Sequence, residues 1–220
     1  NQGTVLTANE VVWYQKDNFL KAIGNVILTT TDGTKITAEE MEYDGVTQRG
    51  IARKNVVLTD PKQTIKTETL YYDRIPNTAY FNTGGTIADS SGNIMYTKSA
   101  TYYVNSKDID FVGQSTIESK DYTIVSDKIK TNQVTQFSQF FGPTTIRNNA
   151  NPRNYVYTEL GDYSAATGVS HLNKNSRIHY NGKVLTGDKL EYHRNTGFGK
   201  GTGNVILNDP QENRYIKGGY

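Results

Sequence analysis

Apolar residues recur along this chain with a period of about thirty. The clearest signal is an apolar residue five positions before a second one: Ile36 before Met41, Ile65 before Leu70, Ile124 before Ile129, Tyr155 before Leu160, and Leu185 before Leu190. The second member stands at Val12, Met41, Leu70, Ala100, Ile129, Leu160 and Leu190, with spacings of 29, 29, 30, 29, 31 and 30. A short apolar run lies in the other half of each unit, as in Val26-Ile27-Leu28, Val56-Val57-Leu58 and Val205-Ile206-Leu207. The middle copies, such as Ser115-Thr116-Ile117 and Thr144-Thr145-Ile146, are degenerate. Gly-Asn-Val-Ile-Leu occurs verbatim twice, at Gly24–Leu28 and Gly203–Leu207, 179 residues apart. Self-similarity at a fixed period of about 20–50 residues marks a repeat architecture.

Turn residues divide each unit in two. Asp32-Gly33, Asp60-Pro61, Ser91-Gly92, Asn181-Gly182 and Asp209-Pro210 form one set; Asp44-Gly45, Asp73 to Asn77, Asn105-Ser106 and Asn195-Thr196-Gly197 form the other. Asn-Gly and Asp-Gly supply the positive φ angles of tight hairpins. Each unit therefore reads as two antiparallel strands, about fourteen in all, and no segment keeps helical spacing. The five-residue gap is informative. Strict alternation would put Ile36 and Met41 on opposite faces, so the strand either carries a bulge or bends from one sheet to another. A bend in every copy folds the meander into two facing sheets. The expected fold is all-β: an elongated, twisted antiparallel jelly roll or trough of about seven two-stranded repeats. It is expected to be one domain over 1–220, with a candidate seam near 143–172. There, Asn148 to Asn154 replaces a short turn, and Phe137, Phe140 and Phe141 cluster just before it.

Composition thins the expected core. Only 35% of 220 residues are apolar, and that count includes 16 Tyr. The net charge is +2, with 24 basic and 22 acidic residues interspersed, which gives a nucleic-acid partner little support. With no cysteine, disulfide scaffolds, thiolate metal sites and Cys nucleophiles are excluded. No apolar run approaches the length of a membrane helix, and no leader is legible at the start of the chain.

Candidate chemistry is sparse. Asp44 and Asp73 could be paired hydrolytic carboxylates, but each follows Tyr at a turn, where capping explains it. His171, His179 and His193 fall at unrelated repeat phases and show no ligand spacing, so no metal is expected. Gly84-Gly85 and Gly218-Gly219 read as strand bends rather than phosphate loops. The Tyr column, at Tyr14, Tyr43, Tyr72, Tyr102 and Tyr192, reads as a rim before a stacking platform. The apolar columns either close a core or line a groove. Their members are Val26, Leu28, Ile36 and Met41; Val56, Leu58, Ile65 and Leu70; Ile94, Ile117, Ile124 and Ile129; and Leu185, Leu190, Val205 and Leu207. No enzyme activity and no cofactor is expected. A parallel β-helix acting on polysaccharide is disfavoured by the hairpin turns.

The pattern Ala-x-Gly-Asn-Val-x-Leu, turn, Thr-x-Ile-x-Ala-Glu-x-x-x-Tyr-Asp resembles the OstA-like family. That family includes the periplasmic lipopolysaccharide-transport protein LptA and the N-terminal domain of the outer-membrane translocon LptD. Ala22, Gly24, Asn25, Val26, Leu28, Ile36, Ala38, Glu39, Tyr43 and Asp44 carry the resemblance, echoed at Ala52 to Asp73 and at Gly203 to Leu207. The resemblance is weak over 113–172. It implies a twisted jelly roll open along one side, a periplasmic location, and acyl chains of lipopolysaccharide or a similar amphiphile carried in the apolar groove. Implied partners are other OstA-like or Lpt proteins, or a second copy, through terminal edge strands. A purely structural module that stacks end to end without lipid is the alternative.

Overall fold

A computed structural model describes residues 3–218. The terminal dipeptides Asn1-Gln2 and Gly219-Tyr220, where edge strands and a glycine bend are expected, lie outside the described residues. The chain divides into two compact units, meeting at Lys107 and Asp108.

In the first unit the strands are β1 (Val5–Thr7), β2 (Glu10–Tyr14), β3 (Phe19–Thr29), β4 (Lys35–Asp44), β5 (Arg49–Thr59), β6 (Gln63–Asp73), β7 (Thr78–Phe81), β8 (Gly85–Asp89), β9 (Ile94–Thr97) and β10 (Ser99–Tyr103). In the second they are β11 (Asp108–Glu118), β12 (Tyr122–Asn132), β13 (Phe137–Asn148), β14 (Tyr155–Ser164), β15 (Val169–Lys174), β16 (Ser176–Tyr180), β17 (Lys183–Gly187), β18 (Lys189–His193), β19 (Phe198–Thr202), β20 (Val205–Asp209) and β21 (Arg214–Gly218). Neighbours pair antiparallel throughout, as in β3 with β4 and β4 with β5. This is an all-β meander, and it is incompatible with a parallel β-helix. Six pairs of short segments, such as β7 with β8, are halves of one strand interrupted at its middle. The twenty-one segments therefore make fifteen bent strands among the described residues, against about fourteen expected.

The bend explains the five-residue gap. Register shifts fall between Ile23 and Val26 on β3, between Thr37 and Glu40 on β4, and between Arg53 and Val56 on β5. The second unit shifts between Val112 and Ser115, and between Phe141 and Thr144. Two residues are spent where one would keep alternation, so Ala38 and Met41 share a face. The repeated Gly-Asn is the bulge itself: φ is +74° at Gly24 and +49° at Asn25, and +69° and +46° at Gly203 and Asn204. Asn enters this left-handed region more cheaply than other side chains, and Gly at no steric cost. The bulge asparagines also reach the residue sixteen positions earlier, on the neighbouring strand. Asn55 Nδ2 donates to Glu39 at 2.9 Å, Asn175 to Glu159 at 2.9 Å, and Asn204 to Asp188 at 3.0 Å. The Ala-Glu of the repeat is thus a partner for the next bulge.

Bulges also free backbone carbonyls, and in the second unit a row of buried hydroxyls takes them up. Ser115 Oγ donates to Gly113 O at 2.8 Å, Thr144 Oγ1 to Gly142 O at 3.0 Å, and Thr158 Oγ1 to Leu160 O at 2.8 Å. Ser126 and Thr144 also share a 2.7 Å hydrogen bond, and Thr158 and Ser176 one of 2.9 Å. The degenerate runs Ser115-Thr116-Ile117 and Thr144-Thr145-Ile146 are therefore not decayed; hydroxyls replace the valine for a backbone reason.

The bend brings the two arms of each unit together. A Cβ on Gly85, in β8, would lie 2.9 Å from the ring of Phe81, in β7. In the second unit a Cβ on Gly201 would lie 2.9 Å from Val205 and 3.3 Å from Leu190. Inward faces are apolar. Outward faces carry cross-strand ion pairs such as Arg53–Glu42 at 2.8 Å and Lys54–Glu40 at 2.6 Å, as expected of antiparallel sheets with one wet side.

Candidate lipid groove

Each arm presents one or two inward apolar rows. In the first unit, Leu28, Ile36, Leu58, Ile65, Ile87 and Met95 stand opposite one another in turn from β3 to β9. The facing row runs Ala22, Met41, Ala52 and Leu70, all buried. Val26 and Val56 lie at the bend, fully enclosed. In the second unit Ile117, Ile124, Ile146 and Val156 continue through Ile178, Leu185 and Leu207. Its facing row holds Phe111, Ile129 and Phe140, and then Leu172 opposite Leu190.

The anticipated lining residues thus separate by depth. Val26, Met41, Val56, Leu58, Ile65, Leu70, Ile129 and Leu190 are buried; Leu28, Ile36, Ile117, Ile124, Leu185, Val205 and Leu207 are half-buried further along the arms. Ile94 stands apart. It pairs with Ala88 and is 38% exposed, while Met95, opposite Ile87, holds the inward place. Two members of the periodic column are displaced in the same way. Val12 pairs with outward Lys21, so Val11 faces inward beside Ala22. Leu160 is 41% exposed because Gly161 takes the place opposite Phe140. A one-residue slip changes the face, and the apolar neighbour on either side hides it in the sequence. The inward positions absent from the anticipated lining include Val11, Phe81, Ile87, Met95, Phe111, Phe140, Ile146, Val156, Leu172 and Ile178; pairing register is the signal that finds them.

The tyrosine column lies where the arms end. Tyr43 and Tyr72 share one inward row with Gly50 between them. The Tyr72 hydroxyl donates to Asn77 Oδ1 at 2.9 Å, and burial raises its pKa. Tyr192 is raised for the same first reason, with Tyr122 and Tyr180 adding to it. Tyr14, by contrast, pairs with Phe19 on the other face. The stacked pair is Tyr71 and Tyr80, outside the column, at 4.7 Å.

The carboxylates serve the turns. Asp44 Oδ1 accepts from Val46 N at 2.8 Å and Thr47 N at 3.1 Å, and hydrogen bonds from Thr47 hold its pKa below the usual range. Asp73 Oδ1 accepts from Ile75 N at 3.2 Å. The histidines are apart in role: His171 pairs with Asp162 at 2.8 Å, His193 with Glu191 at 2.5 Å, and His179 stacks on Tyr155 at 4.2 Å. Among the described residues no buried side-chain polar atom lacks a partner.

A sequence profile of the family described as "OstA-like protein" matches residues 1–127, more than half of the chain. The chain belongs to the OstA-like family. Among solved structures, this OstA-like chain is similar to the LptH crystal structure, "the LptA homologous periplasmic component of the conserved lipopolysaccharide transport device from Pseudomonas aeruginosa". Identity is 14%, the match covers 64% of this chain and 82% of that one, and the TM-score is 0.29. No curated protein matches the chain.

Proposed function

We propose that this OstA-like chain is a non-enzymatic periplasmic carrier that holds acyl chains of lipopolysaccharide, or of a similar amphiphile, between the arms of its bent strands. The observation that carries the reading is the pair of inward apolar rows, with the Leu28 to Met95 row as its longest run in the first unit. Nothing on those rows offers a reactive group. Affinity then comes from apolar area at about 25 cal/mol per Å², which suits a passive conduit for outer-membrane lipid. The half-buried outer thirds of the arms, at Ile36 and Leu207 for example, are where a chain would displace water. Family membership supports the same reading.

The test is a photo-crosslinking residue at Ile36 and, separately, at Leu207, with outward Lys66 as control. Capture of lipopolysaccharide at the two inward positions and not at Lys66 is the expected result. Equal labelling at all three, or none, removes the proposal.

A second reading has its own observation. Among the described strands β1 and β2 pair only with β3, and Val5, Val11 and Trp13 are 57%, 48% and 51% exposed there. An apolar strand edge of this kind takes up a further strand, from another OstA-like protein or a second copy. Replacing Val11 and Trp13 with Lys is expected to abolish such assembly in sedimentation velocity at high concentration. An unchanged distribution counts against it.

A further inference from the structure

One contact in the second unit joins the far ends of the two arms. Arg194, in the turn after β18, donates through Nη2 to Asp121 Oδ2 at 2.8 Å, in the turn before β12. These residues are 73 apart in sequence. The same guanidinium lies 4.8 Å from the ring centre of Tyr122, and the Tyr163 side chain is the first cause of its raised pKa. Tyr122 and Tyr163 share the inward faces of Ile124 and Tyr192, respectively, so this cluster stands at the mouth of the groove. Ion pairs such as Lys130–Asp110, Lys174–Glu159 and Lys183–Asp209 join strands already paired, whereas this one reaches across the mouth. In the first unit the corresponding turn residue, Asp32, is engaged by Thr30 and Thr34 instead.

Asp121 is an exposed carboxylate with no other side-chain partner among the described hydrogen bonds, and it presents one oxygen to a cation set among tyrosine rings. A phosphate or carboxylate at the head of an acyl chain would present the same group from the groove side. We propose that Arg194 is the anion-recognising residue of this groove mouth, occupied by Asp121 when the groove is empty and taken over by the anionic headgroup of a bound amphiphile. Releasing Asp121 also frees the two arms at their ends, so headgroup recognition and opening of the mouth are one event. The assignment rests on the proposed lipid groove. It adds a selectivity that apolar lining alone does not have.

The experiment titrates the whole chain calorimetrically with dodecyl phosphate and with uncharged dodecyl maltoside, each below its micelle concentration, and with inorganic phosphate. Wild type is expected to prefer dodecyl phosphate. Arg194→Gln is expected to remove that preference and leave the maltoside unchanged. Asp121→Asn is expected to strengthen dodecyl phosphate by about two- to fivefold, the range an exposed ion pair supports. Asp127→Asn, which deletes a carboxylate from the outer side of the same strand, controls for net charge and is expected to do less. Both mouth residues are turn residues at the surface, and circular dichroism checks that their variants fold. A preference that survives Arg194→Gln overturns the assignment and leaves the groove intact. Inorganic phosphate binding as tightly as dodecyl phosphate overturns it in favour of a free-anion site. No binding of either amphiphile to wild type removes the groove reading and this inference with it.

Discussion

Replacing Thr158 with valine tests whether the hydroxyl row supports the bends. Thr158 is fully buried, and valine keeps its shape while deleting the hydroxyl. The hydroxyl has one proton to give. Leu160 O at 2.8 Å takes it in preference to Lys174 O at 3.3 Å. It also accepts from Ser176 Oγ at 2.9 Å and from Leu160 N at 3.3 Å, but Ser176 has a second acceptor, Lys174 O, at 3.2 Å. The variant therefore strands one carbonyl, takes away the long bond from Leu160 N, and lets the Ser176 donor relocate. Leaving a single buried acceptor unmet costs about 1–3 kcal/mol, a fall in Tm of roughly 2–12 °C for a chain of this length. Urea unfolding followed by circular dichroism at 218 nm, roughly the β-sheet minimum, reads the loss directly. Thr186→Val, on the outer face of the same arm, is the control and is expected to stay within about 0.5 kcal/mol of wild type. The double variant Thr158→Val with Ser176→Ala is expected to cost less than the sum of the singles, because they share a bond. A Thr158→Val protein as stable as the control refutes the claim that hydroxyls satisfy the bulges.

Further predictions concern the bulge, the core, the groove and pH. Gly24→Ala puts a Cβ 2.7 Å from Asn9 Nδ2 at φ +74° and is expected to cost about 1–2 kcal/mol in the same denaturation assay. Ile129→Ala, at a fully enclosed position, is expected to cost about 2–5 kcal/mol. Ala52→Phe fills the inward row opposite Met41 and Leu70; uptake of a fluorescent acyl probe is expected to weaken, and unchanged uptake would mean that chains do not lie along this row. His179 is held below its ordinary value of 6.5, first by burial and then by Arg177; it stacks on Tyr155, and Arg147 lies over the Tyr155 ring. Its neutral form is the one the fold favours. That contribution is present above pH 6.5 and is lost as pH falls from 6.5 through the depressed folded value. His179→Gln is expected to flatten that part of the stability profile.

The periodic column made the repeat, the strands, the hairpins and the bend legible, because all four depend on residues close in sequence. The five-residue gap between Ile36 and Met41 announced a bulge, and Gly24-Asn25 marks where it sits. Asp44 read as a turn cap for the same local reason. Faces were less legible. Val12, Ile94 and Leu160 each have an apolar or small neighbour that takes the inward place, at Val11, Met95 and Gly161. Pairing register decides between neighbours, and register belongs to two strands, not one. The hydroxyl row at Ser115, Ser126, Thr144 and Thr158 was visible only as a weakening of the apolar run. Its purpose appears once the freed carbonyls are located.

By itself the sequence determined an antiparallel, repeated, bent β-structure with apolar and polar faces, since short-range periodicity and turn chemistry suffice for that. Tertiary structure decided what the two arms do to each other. Phe81 lies against Gly85, Val205 against Gly201, and Arg194 reaches Asp121 across the mouth of the second unit. The first two join residues four apart across a single bend; the third joins residues 73 apart, a spacing with no periodic signal, and only the bending of the strands between them brings that pair within reach.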